Sequence, residues 1–481
     1  MSSDLPAATD GGEHVVICGG GVAGLSAAVR LAQAGVKVTL VEQRQRLGGR
    51  ASSVNDPKSD SVIDNCQHVV MRACTALLDL YGRLGVADQI QWSTTLHFAD
   101  PEDPTAVYAL KPDDLPAPMH LLRPMMKFGL LSASQKFSVA RAMLAVMQVG
   151  SSHRARSHYN NQSFREWLDG QNQSADVVEL FWSPIIVSAC NEWPEHVAAG
   201  YAFQVLQDGL LAADDAYELG LALCPLADLY DPAAKLIEDA GGTVHLGTTA
   251  TGFAYADGAV TGLQLNTGET ITGDHYVAAV PFDRLGGLLP DDLKNADERF
   301  GQLDALQVSP ILGIHLYYRT TNGRPVMEMP HVVLPERPVH WLFNKGAVDL
   351  PEHGQVQHVH AVISAAHDLV DESADDLAVM ADAEVHRLFG TAHPELQRVH
   401  QRVIKEKHAT FSIRPGIDAA RPAVSGATAN LLLAGDWTDT GWPATMEGAA
   451  RSGYAAAAAV LGEADAITDS NRSLLYRLIA S

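Results

Sequence analysis

The stretch VVICGGGVAG, residues 15–24, decides the fold of this chain. Four apolar residues typical of a buried strand lead directly into G-x-G-x-x-G, and apolar residues then recur at helical spacing as far as Gly35. Residues 37–41 predict a second strand, which leads to Glu42, 18 residues beyond the third glycine. A strand, a glycine loop, a helix, a second strand and an acid, in this order, predict a dinucleotide-binding unit.

Each part of this unit has a physical task. The first glycine permits a tight turn, the second lets the backbone approach a pyrophosphate, and the third lets helix and strand pack closely. The acid can accept hydrogen bonds from a ribose, and the helix N-terminus offers free amides and a positive dipole end to phosphates. The residues predicted to form this site are Gly19, Gly21, Val22, Ala23, Gly24, Glu42 and Gln43.

A second glycine pair followed by arginine, Gly48-Gly49-Arg50, lies just beyond the predicted ribose acid. This segment resembles the extension found in the amine oxidase and phytoene desaturase group of flavoproteins. The resemblance implies FAD as the dinucleotide, with Gly49 and Arg50 at its pyrophosphate. A planar guanidinium suits this role because its donors match phosphate oxygens.

The C-terminal region resembles the segment that closes the FAD domain in the same group. Residues 431–434 predict a buried strand, and an alanine-rich helix is predicted from Pro443 to about Leu461. The resemblance implies that Gly435 and Asp436 lie by the pyrophosphate and ribitol, and that the amides near Met446 face the flavin. In the middle of the chain, residues 241–253 predict a strand pair, with Ala250 at the adenine by resemblance, and residues 276–281 predict a strand that returns to the FAD domain.

The expected fold class is α/β, with a Rossmann-like FAD-binding domain assembled from discontinuous segments and an α+β substrate domain. The FAD domain is expected to take residues 13–105, 226–290 and 426–465, and the substrate domain residues 106–225 and 291–425. A flexible N-terminus (1–12) and a C-terminal tail (466–481) complete the prediction.

The block DNCQH, residues 64–68, narrows the resemblance to one family. It is similar to the signature of the hydroxysqualene dehydroxylases, also called squalene-associated FAD-dependent desaturases. Three further blocks resemble that family, residues 98–101, 181–192 and 434–451. The resemblance implies reductive removal of the hydroxyl group of hydroxysqualene to give squalene, which supplies hopanoid or related triterpene synthesis.

This chemistry needs an apolar cleft, a proton donor for the departing water and a shield for a cation-like carbon. His68 is the first candidate donor; alternatively, Gln67 and His68 hydrogen-bond the flavin or the backbone. Glu192 is the second candidate, and its alternative is an ordinary surface acid. Candidates for lining the substrate site by their ring faces are Trp182, Tyr201 and Trp442, for which core packing is the alternative.

Composition restricts the partners and the cofactors. With 57 acidic and 34 basic residues the net charge is −23, which argues against nucleic-acid binding. Five cysteines without a C-x-x-C pair argue against disulfides and a zinc site, and the histidines show no metal-ligand spacing. Residues 390–445 lack the cysteine that would attach a covalent flavin, so non-covalent FAD is expected, with NAD(P)H as a candidate electron donor.

The location of the protein is predicted to be cytoplasmic. The N-terminus lacks the basic start and apolar core of a signal peptide, and no apolar stretch is long enough to span a bilayer. The segment from Leu115 to Val149 is methionine-rich and amphipathic and carries a few cations. It is either a hairpin that makes transient contact with the inner face of a membrane and admits an apolar isoprenoid substrate, or part of the substrate-domain core.

Three other functions remain open. A carotenoid-type desaturase or isomerase would use the same fold on a similar polyene, and only the DNCQH block favours the dehydroxylase. A flavin amine oxidase is less favoured, because the sequence shows no clear aromatic cage for an amine. Proteins of similar fold also bind prenyl groups without catalysis, as Rab GDP-dissociation inhibitors do, but the retained Gly-Gly-Arg and Gly-Asp elements favour a working flavin. The sequence leaves the oligomeric state open.

Overall fold

The computed structural model describes residues 12–320, 323–464, 467 and 471–480. Residues 1–11 of the predicted flexible N-terminus lie outside the described residues. The strands in these ranges are β1 (His14–Cys18), β2 (Lys37–Val41), β3 (Ser53–Asp56), β4 (Ser61–Asp64), β5 (Val69–Met71), β6 (Ile90–Ser93), β7 (Leu96–Ala99), β8 (Val107–Leu110), β9 (Leu219–Ala222), β10 (Thr243–His245), β11 (Ala250–Ala256), β12 (Ala259–Leu265), β13 (Thr270–Ile271), β14 (His275–Ala278), β15 (Val308–Arg319), β16 (His331–Val333), β17 (Trp341–Leu350), β18 (Gly354–Ile363), β19 (Gln397–Phe411) and β20 (Leu431–Leu433).

The α-helices of the same ranges lie between or after these strands, and short 3₁₀ and π turns accompany them. Among the described residues, none of them is both long and apolar enough to cross a membrane. They are α1 (Val22–Gln33), α2 (Thr75–Leu84), α3 (Leu122–Lys127), α4 (Ala133–Gln148), α5 (His153–Ser157), α6 (Phe164–Gly170), α7 (Ala175–Val177), α8 (Ser183–Cys190), α9 (Ala199–Leu206), α10 (Pro232–Asp239), α11 (Phe282–Leu285), α12 (Asp291–Ala296), α13 (Ala374–Phe389), α14 (Met446–Leu461) and α15 (Leu474–Ile479). Helices α3 to α9 all lie between β8 and β9.

A five-stranded sheet in the order β10-β2-β1-β14-β20 carries the predicted dinucleotide unit. All four strand pairings are parallel, and the central β1 is apolar and buried from Val15 to Cys18, as expected for a strand covered on both faces. The strands come from three separated parts of the chain. The α/β fold class and its discontinuous assembly are therefore confirmed.

A seven-stranded sheet, β19-β15-β18-β17-β16-β7-β8, forms the second large layer. Apolar residues of β15 and β18 pack against α13, and the helices between β8 and β9 share one core with the adjacent strands. Strand β7, which the sequence placed in the first FAD segment, pairs in this sheet with β8 and β16. The exact domain boundaries stay a prediction.

Several element boundaries differ from the sequence prediction. Helix α14 begins at Met446 instead of Pro443, because Thr445 caps it by accepting a hydrogen bond from the Gly448 amide. Within the segment from Leu115 to Val149, helix α4 begins at Ala133, where Ser132 and Gln135 form a capping box. The predicted C-terminal tail contains the helix α15, whose Tyr476 is fully buried.

Three buried histidines lie side by side in the seven-stranded sheet. The Nε2 atom of His315 donates to the carbonyl oxygen of Asp64 at 3.0 Å, so its Nδ1 accepts from Nε2 of His358 at 2.9 Å. The His360 ring stacks on His315 with 3.9 Å between ring centroids. Burial lowers the pKa of His315 to about 4 and holds the pKa values of His358 and His360 well below their usual range. The neutral rings thereby support the backbone where the DNCQH block begins.

We expect these histidines to make folding stability sensitive to mild acid. Below about pH 6.5 the unfolded chain binds protons that the buried rings refuse, so stability is full above this pH and falls towards the lowered pKa values. Each such histidine lowers the free energy of unfolding by about 1.4 kcal/mol for each pH unit between about pH 6.5 and its lowered pKa. Denaturant unfolding followed by circular dichroism at pH 7.5, 6.5 and 5.5 checks this; an unfolding free energy unchanged across that range would contradict it.

Candidate active site

One cavity of about 990 Å³ runs from the carboxyl ends of the parallel strands into the helical part of the molecule. Its size lies at the upper end for ligand pockets, and its position matches the place where open parallel sheets bind ligands. Of the predicted cofactor residues, only Gly24 is absent from its wall. The wall contains Gly19, Gly21, Val22, Ala23, Glu42, Gln43, Gly49, Arg50, Gln67, His68, Ala250, Gly435, Asp436 and Met446.

The glycine loop shows the division of tasks expected of a pyrophosphate cradle. A Cβ atom on Gly24 would lie 1.9 Å from the carbonyl oxygen of Gly19, so this position permits close packing of helix and strand. A Cβ on Gly21 would meet only the Cα of Gly49, at 3.8 Å. The space in front of Gly21 therefore belongs to the cavity, and backbone can approach a ligand there.

Glu42 is buried in the cavity wall and holds the loop in place. One carboxylate oxygen accepts from the Gly20 amide and the other from the Arg44 amide, both at 2.7 Å. This acid sits at the end of β2, where the dinucleotide fold needs a ribose acceptor. Its position fits the predicted role.

Arg50 and Asp436 join the first and third segments across the cavity. They form an ion pair, and Arg50 also donates to the carbonyl oxygen of Ala409 at 3.0 Å. Asn65 of the DNCQH block donates to the Arg50 carbonyl oxygen at 2.8 Å. The guanidinium is thus held at the cavity wall with Asp436 as its partner, a position that fits the predicted contact with a pyrophosphate.

Glu447 and Arg451 anchor the N-terminus of α14 beside this pair, a role that the sequence analysis missed. The buried Glu447 carboxylate accepts from the Ala76 and Leu77 amides at 3.1 and 2.9 Å and from Arg451 at 2.6 Å. Burial raises its pKa. The carboxylate thereby caps α2 and fixes the start of α14, where Met446 meets the cavity. The signal was present as a Glu and an Arg four residues apart.

These residues fit a flavin dinucleotide: a glycine cradle for phosphates, an acid for a ribose and an arginine at the pyrophosphate end. The start of α14 adds backbone amides and a positive dipole end at the cavity wall. When bound, FAD accepts or delivers two electrons as a hydride.

His68 lies on the cavity wall beyond the cofactor residues. Its Nδ1 atom is 3.1 Å from the carbonyl oxygen of Cys66, which can only accept, so Nδ1 carries the proton. Burial is the main cause that lowers the pKa of His68. The neutral ring therefore has a free acceptor at Nε2 and must first be protonated to act as the predicted donor.

Gln67 links this histidine to a charged pair. Its Nε2 donates to the His68 carbonyl oxygen at 3.1 Å, and its Oε1 accepts from Lys345 at the same distance. Lys345 also pairs with Asp64 at 3.2 Å. The DNCQH block is thus held by contacts from β17 as well as from His315, and its orientation towards the cavity is fixed.

The structure does not bring Glu192 to the cavity. Its side chain is fully buried, accepting from Ser412 at 2.5 Å and lying 3.2 Å from the Nε2 of His367. Both the catalytic interpretation and the surface-acid alternative are therefore wrong. The neighbouring Asn191 lines the cavity instead and donates to the Thr410 hydroxyl at 2.9 Å.

Two of the three candidate shielding aromatics belong to the core. Trp182 is fully buried and donates to Gln173 at 3.1 Å, and Tyr201 donates to Asp418 and accepts from Arg421. Neither lines the cavity, because packing and these hydrogen bonds hold both rings in the core. Trp442 does line it, with the Arg451 guanidinium 4.7 Å from its ring centroid.

The other end of the cavity is an apolar arm that the sequence analysis largely missed. Its wall combines side chains from β7, β8 and β15–β18 of the seven-stranded sheet with side chains from the helices around α4. The sequence analysis predicted neither these strands nor a cavity beside them. The apolar arm is lined by Leu96, Phe98, Leu110, Met119, Leu121, Leu122, Met125, Val139, Met143, Leu144, Met147, Phe181, Ile185, Val205, Leu210, Leu219, Ile311, Val333, Trp341, Phe343, Val362 and Ile479.

Known proteins resemble this chain over nearly its whole length. The sequence model of the family described as flavin containing amine oxidoreductase matches residues 22–461. A 15-cis-phytoene desaturase of Synechococcus elongatus is 27% identical over 94% of this chain and 96% of its own length. A hydroxysqualene dehydroxylase of Rhodopseudomonas palustris is 29% identical over 93% of this chain and 98% of its own length.

Solved structures share the fold at lower identity. An oxidoreductase from Methanosarcina mazei has a TM-score of 0.68 at 15% identity and covers 94% of this chain and 100% of its own. Cyclohexylamine oxidase from Brevibacterium oxydans has a TM-score of 0.66 at 18% identity, covering 94% of this chain and 99% of its own. At these identities the likeness concerns the fold.

Proposed function

Because this chain belongs to the flavin-containing amine oxidoreductase family and is an FAD-dependent oxidoreductase, we propose that it reductively dehydroxylates hydroxysqualene to squalene. The observation that carries this proposal is the position of the DNCQH block. Gln67 and His68 lie in the wall of a cavity that joins the cofactor end to a long apolar arm. An apolar arm of this kind suits a flexible isoprenoid chain, since its burial is favourable without polar partners.

The proposed reaction breaks the carbon–oxygen bond of an allylic alcohol. A hydride is added to carbon and a proton to the departing hydroxide, so that R–OH, NAD(P)H and H⁺ give R–H, NAD(P)⁺ and water. NAD(P)H is proposed as the source of the electrons. The hydroxyl end must therefore lie near the cofactor residues while the hydrocarbon occupies the apolar arm.

The residues of this chain supply binding and a proton path. The apolar arm excludes water, which would otherwise add to a cation-like carbon of the substrate. His68 delivers the proton from Nε2 once it is protonated, and the Cys66 carbonyl holds the ring by Nδ1 in either protonation state. Trp442 at the cofactor end presents an aromatic side chain to the same space.

A phytoene-type desaturation is the second candidate, and a specific observation favours it. The lowered pKa of His68 leaves an unprotonated Nε2 at neutral pH, which suits proton removal from a substrate that loses hydride. The phytoene desaturase relatives are about as similar to this chain as the dehydroxylase is. An amine oxidase receives no such support, and a non-catalytic prenyl-binding role is not proposed for a flavin oxidoreductase.

The test is anaerobic incubation of the purified flavoprotein with hydroxysqualene and NAD(P)H, followed by extraction and product analysis. Squalene is the expected product. Its absence, with the flavin bound and reducible, would contradict the dehydroxylation. A parallel incubation of the oxidised protein with phytoene and an electron acceptor tests the second candidate by the appearance of longer conjugated products.

A further inference from the structure

We infer that the face around the mouth of the apolar arm docks on an anionic lipid bilayer, with the α3–α4 hairpin and the C-terminal helix α15 as its contact elements. This docking face consists of Met119, Leu122, Met126, Phe137, Leu144, Leu474 and Leu478 with the cations around them. The inference rests on the proposed function in one respect only, that the substrate is a membrane-resident lipid. Docking itself is measured without substrate.

The docking face collects exposed apolar side chains to a degree not found elsewhere in the described part of the chain. Seven of the thirteen large apolar side chains that are exposed there belong to it. Phe137 is 74% exposed, and Leu474 and Leu478 are each 78% exposed. Exposed apolar side chains that gather on a few neighbouring elements indicate an interaction site, whereas single exposed residues are ordinary.

Helix α15 shows why these leucines need a partner. Tyr476 is buried in a cluster with Met147 and Leu211, so one face of the helix is docked on the protein. Leu474 and Leu478, four residues apart, share a different face and remain exposed. The short helix is therefore apolar on the side that no described residue covers, which is typical of an element that enters an interface.

The docking face is also the entrance to the cavity. Met119, Leu122 and Leu144 line the apolar arm and are at the same time exposed, so the arm opens where they lie. Ile479 of α15 belongs to the same wall. A lipid in a bilayer in contact with this face could enter the apolar arm without crossing water, which removes the cost of exposing a long hydrocarbon.

Charge identifies the kind of bilayer. Residues 115–165 contain no Asp or Glu and seven Lys or Arg, in a chain whose net charge is −23. Arg123, Lys127, Arg141 and Arg477 are exposed. Arg123 forms an ion pair with Asp113 at 3.6 Å. A cationic rim around an apolar centre complements anionic headgroups, while the rest of the acidic molecule is repelled by them.

The test uses the full-length holoprotein and vesicle flotation, with phosphatidylcholine alone or mixed with equal parts of phosphatidylglycerol. We expect binding to the mixed vesicles, weaker binding to phosphatidylcholine, and loss of binding at high salt. The double variant Leu474→Ser/Leu478→Ser and the single variant Phe137→Ser should each lower the partition coefficient by about tenfold or more, since they remove buried apolar area. Matched controls are Val379→Ser and Leu223→Ser, which are similarly exposed elsewhere.

The inference would be overturned if the wild-type protein remains at the bottom of the gradient with both kinds of vesicle. It would also be overturned if the control variants lose as much binding as the docking-face variants. If light scattering shows a dimer that Leu474→Ser/Leu478→Ser makes monomeric, and vesicles are not bound, the occupant is a second copy and the bilayer assignment is wrong. With hydroxysqualene in detergent micelles the leucine variant should keep wild-type turnover and lose it only with vesicle-embedded substrate. Failure of docking and failure of the dehydroxylation are thus separate results.

Discussion

Replacing Gly21 with valine is expected to give a folded protein that no longer holds its flavin. The backbone at this position is extended, with φ −77° and ψ 177°, which valine adopts readily. Its Cβ has open space in the folded chain but would project into the cavity where the pyrophosphate approaches. We expect the purified variant to lose flavin absorbance while its circular dichroism spectrum and its chemical-denaturation midpoint, both compared with those of the wild-type apoprotein, stay unchanged.

The matched control for this variant is Gly24→Val. There the new Cβ would lie 1.9 Å from the Gly19 carbonyl oxygen, so helix α1 must move away from β1. This variant should fail to fold or lose several kcal/mol of stability, as overpacking in a core does at its worst. A Gly21→Val protein that binds FAD as the wild type does would contradict the assignment of the cradle.

Replacing His68 with alanine is expected to leave the flavin bound and to lower turnover by about 10²–10⁴-fold, the range for a general acid or base. The side chain lies on the cavity wall, and its ring contact is with the Cys66 carbonyl oxygen rather than with the glycine loop. Flavin content and steady-state turnover of the purified variant check this. Lys37→Ala, at the exposed start of β2, is the control for surface substitution.

The pH profile tells which proton transfer His68 performs. Its pKa is lowered, so only a small fraction is protonated at neutral pH. For the proposed dehydroxylation, the chemical step should accelerate as pH falls from 8 to 6, and the His68→Ala variant should lose this dependence. A wild-type rate that rises with pH instead would assign His68 as a base and favour desaturation. Turnover by His68→Ala equal to that of the wild type would remove the residue from the chemistry.

The dinucleotide unit could be predicted from sequence because its determinants are local. The strand, loop and helix of residues 15–33 follow from apolar periodicity and glycine placement within one short stretch. The same holds for the strand at 431–433, and the meeting of distant segments followed from the resemblance. Each predicted cofactor residue apart from Gly24 consequently lies on one cavity wall, and Gly24 supports it from behind.

Glu192 does not reach the cavity, and Trp182 and Tyr201 follow the core-packing alternative, because tertiary partners decide where these side chains lie. The Glu192 carboxylate contacts Ser412 and His367, which hold it in the interior. Both partners lie far along the chain, so the sequence near Glu192 does not predict these contacts. Trp182 and Tyr201 occupy a π turn and a helix whose inner faces are chosen by packing. The residue types suggested a role in the chemistry, but packing in the core keeps these side chains away from the cavity.

The protonation state of His68 shows a third kind of limit. Its block could be recognised from sequence, but the Cys66 carbonyl that fixes its tautomer and the burial that lowers its pKa are properties of the folded loop. The same is true of α15, which lies in the segment predicted to be a C-terminal tail. Its buried tyrosine and its two exposed leucines can be interpreted only once the fold places them beside the mouth of the apolar arm.

Whether this flavoprotein reduces a hydroxylated isoprenoid is tested most directly by following the re-oxidation of its reduced flavin by the substrate. The protein is reduced anaerobically with one equivalent of dithionite and mixed with hydroxysqualene in a stopped-flow instrument, with phytoene and buffer as parallel samples. We expect flavin absorbance to return with hydroxysqualene only, together with a stoichiometric amount of squalene. Reduced flavin that persists with hydroxysqualene, while the oxidised protein is bleached by phytoene, would contradict it.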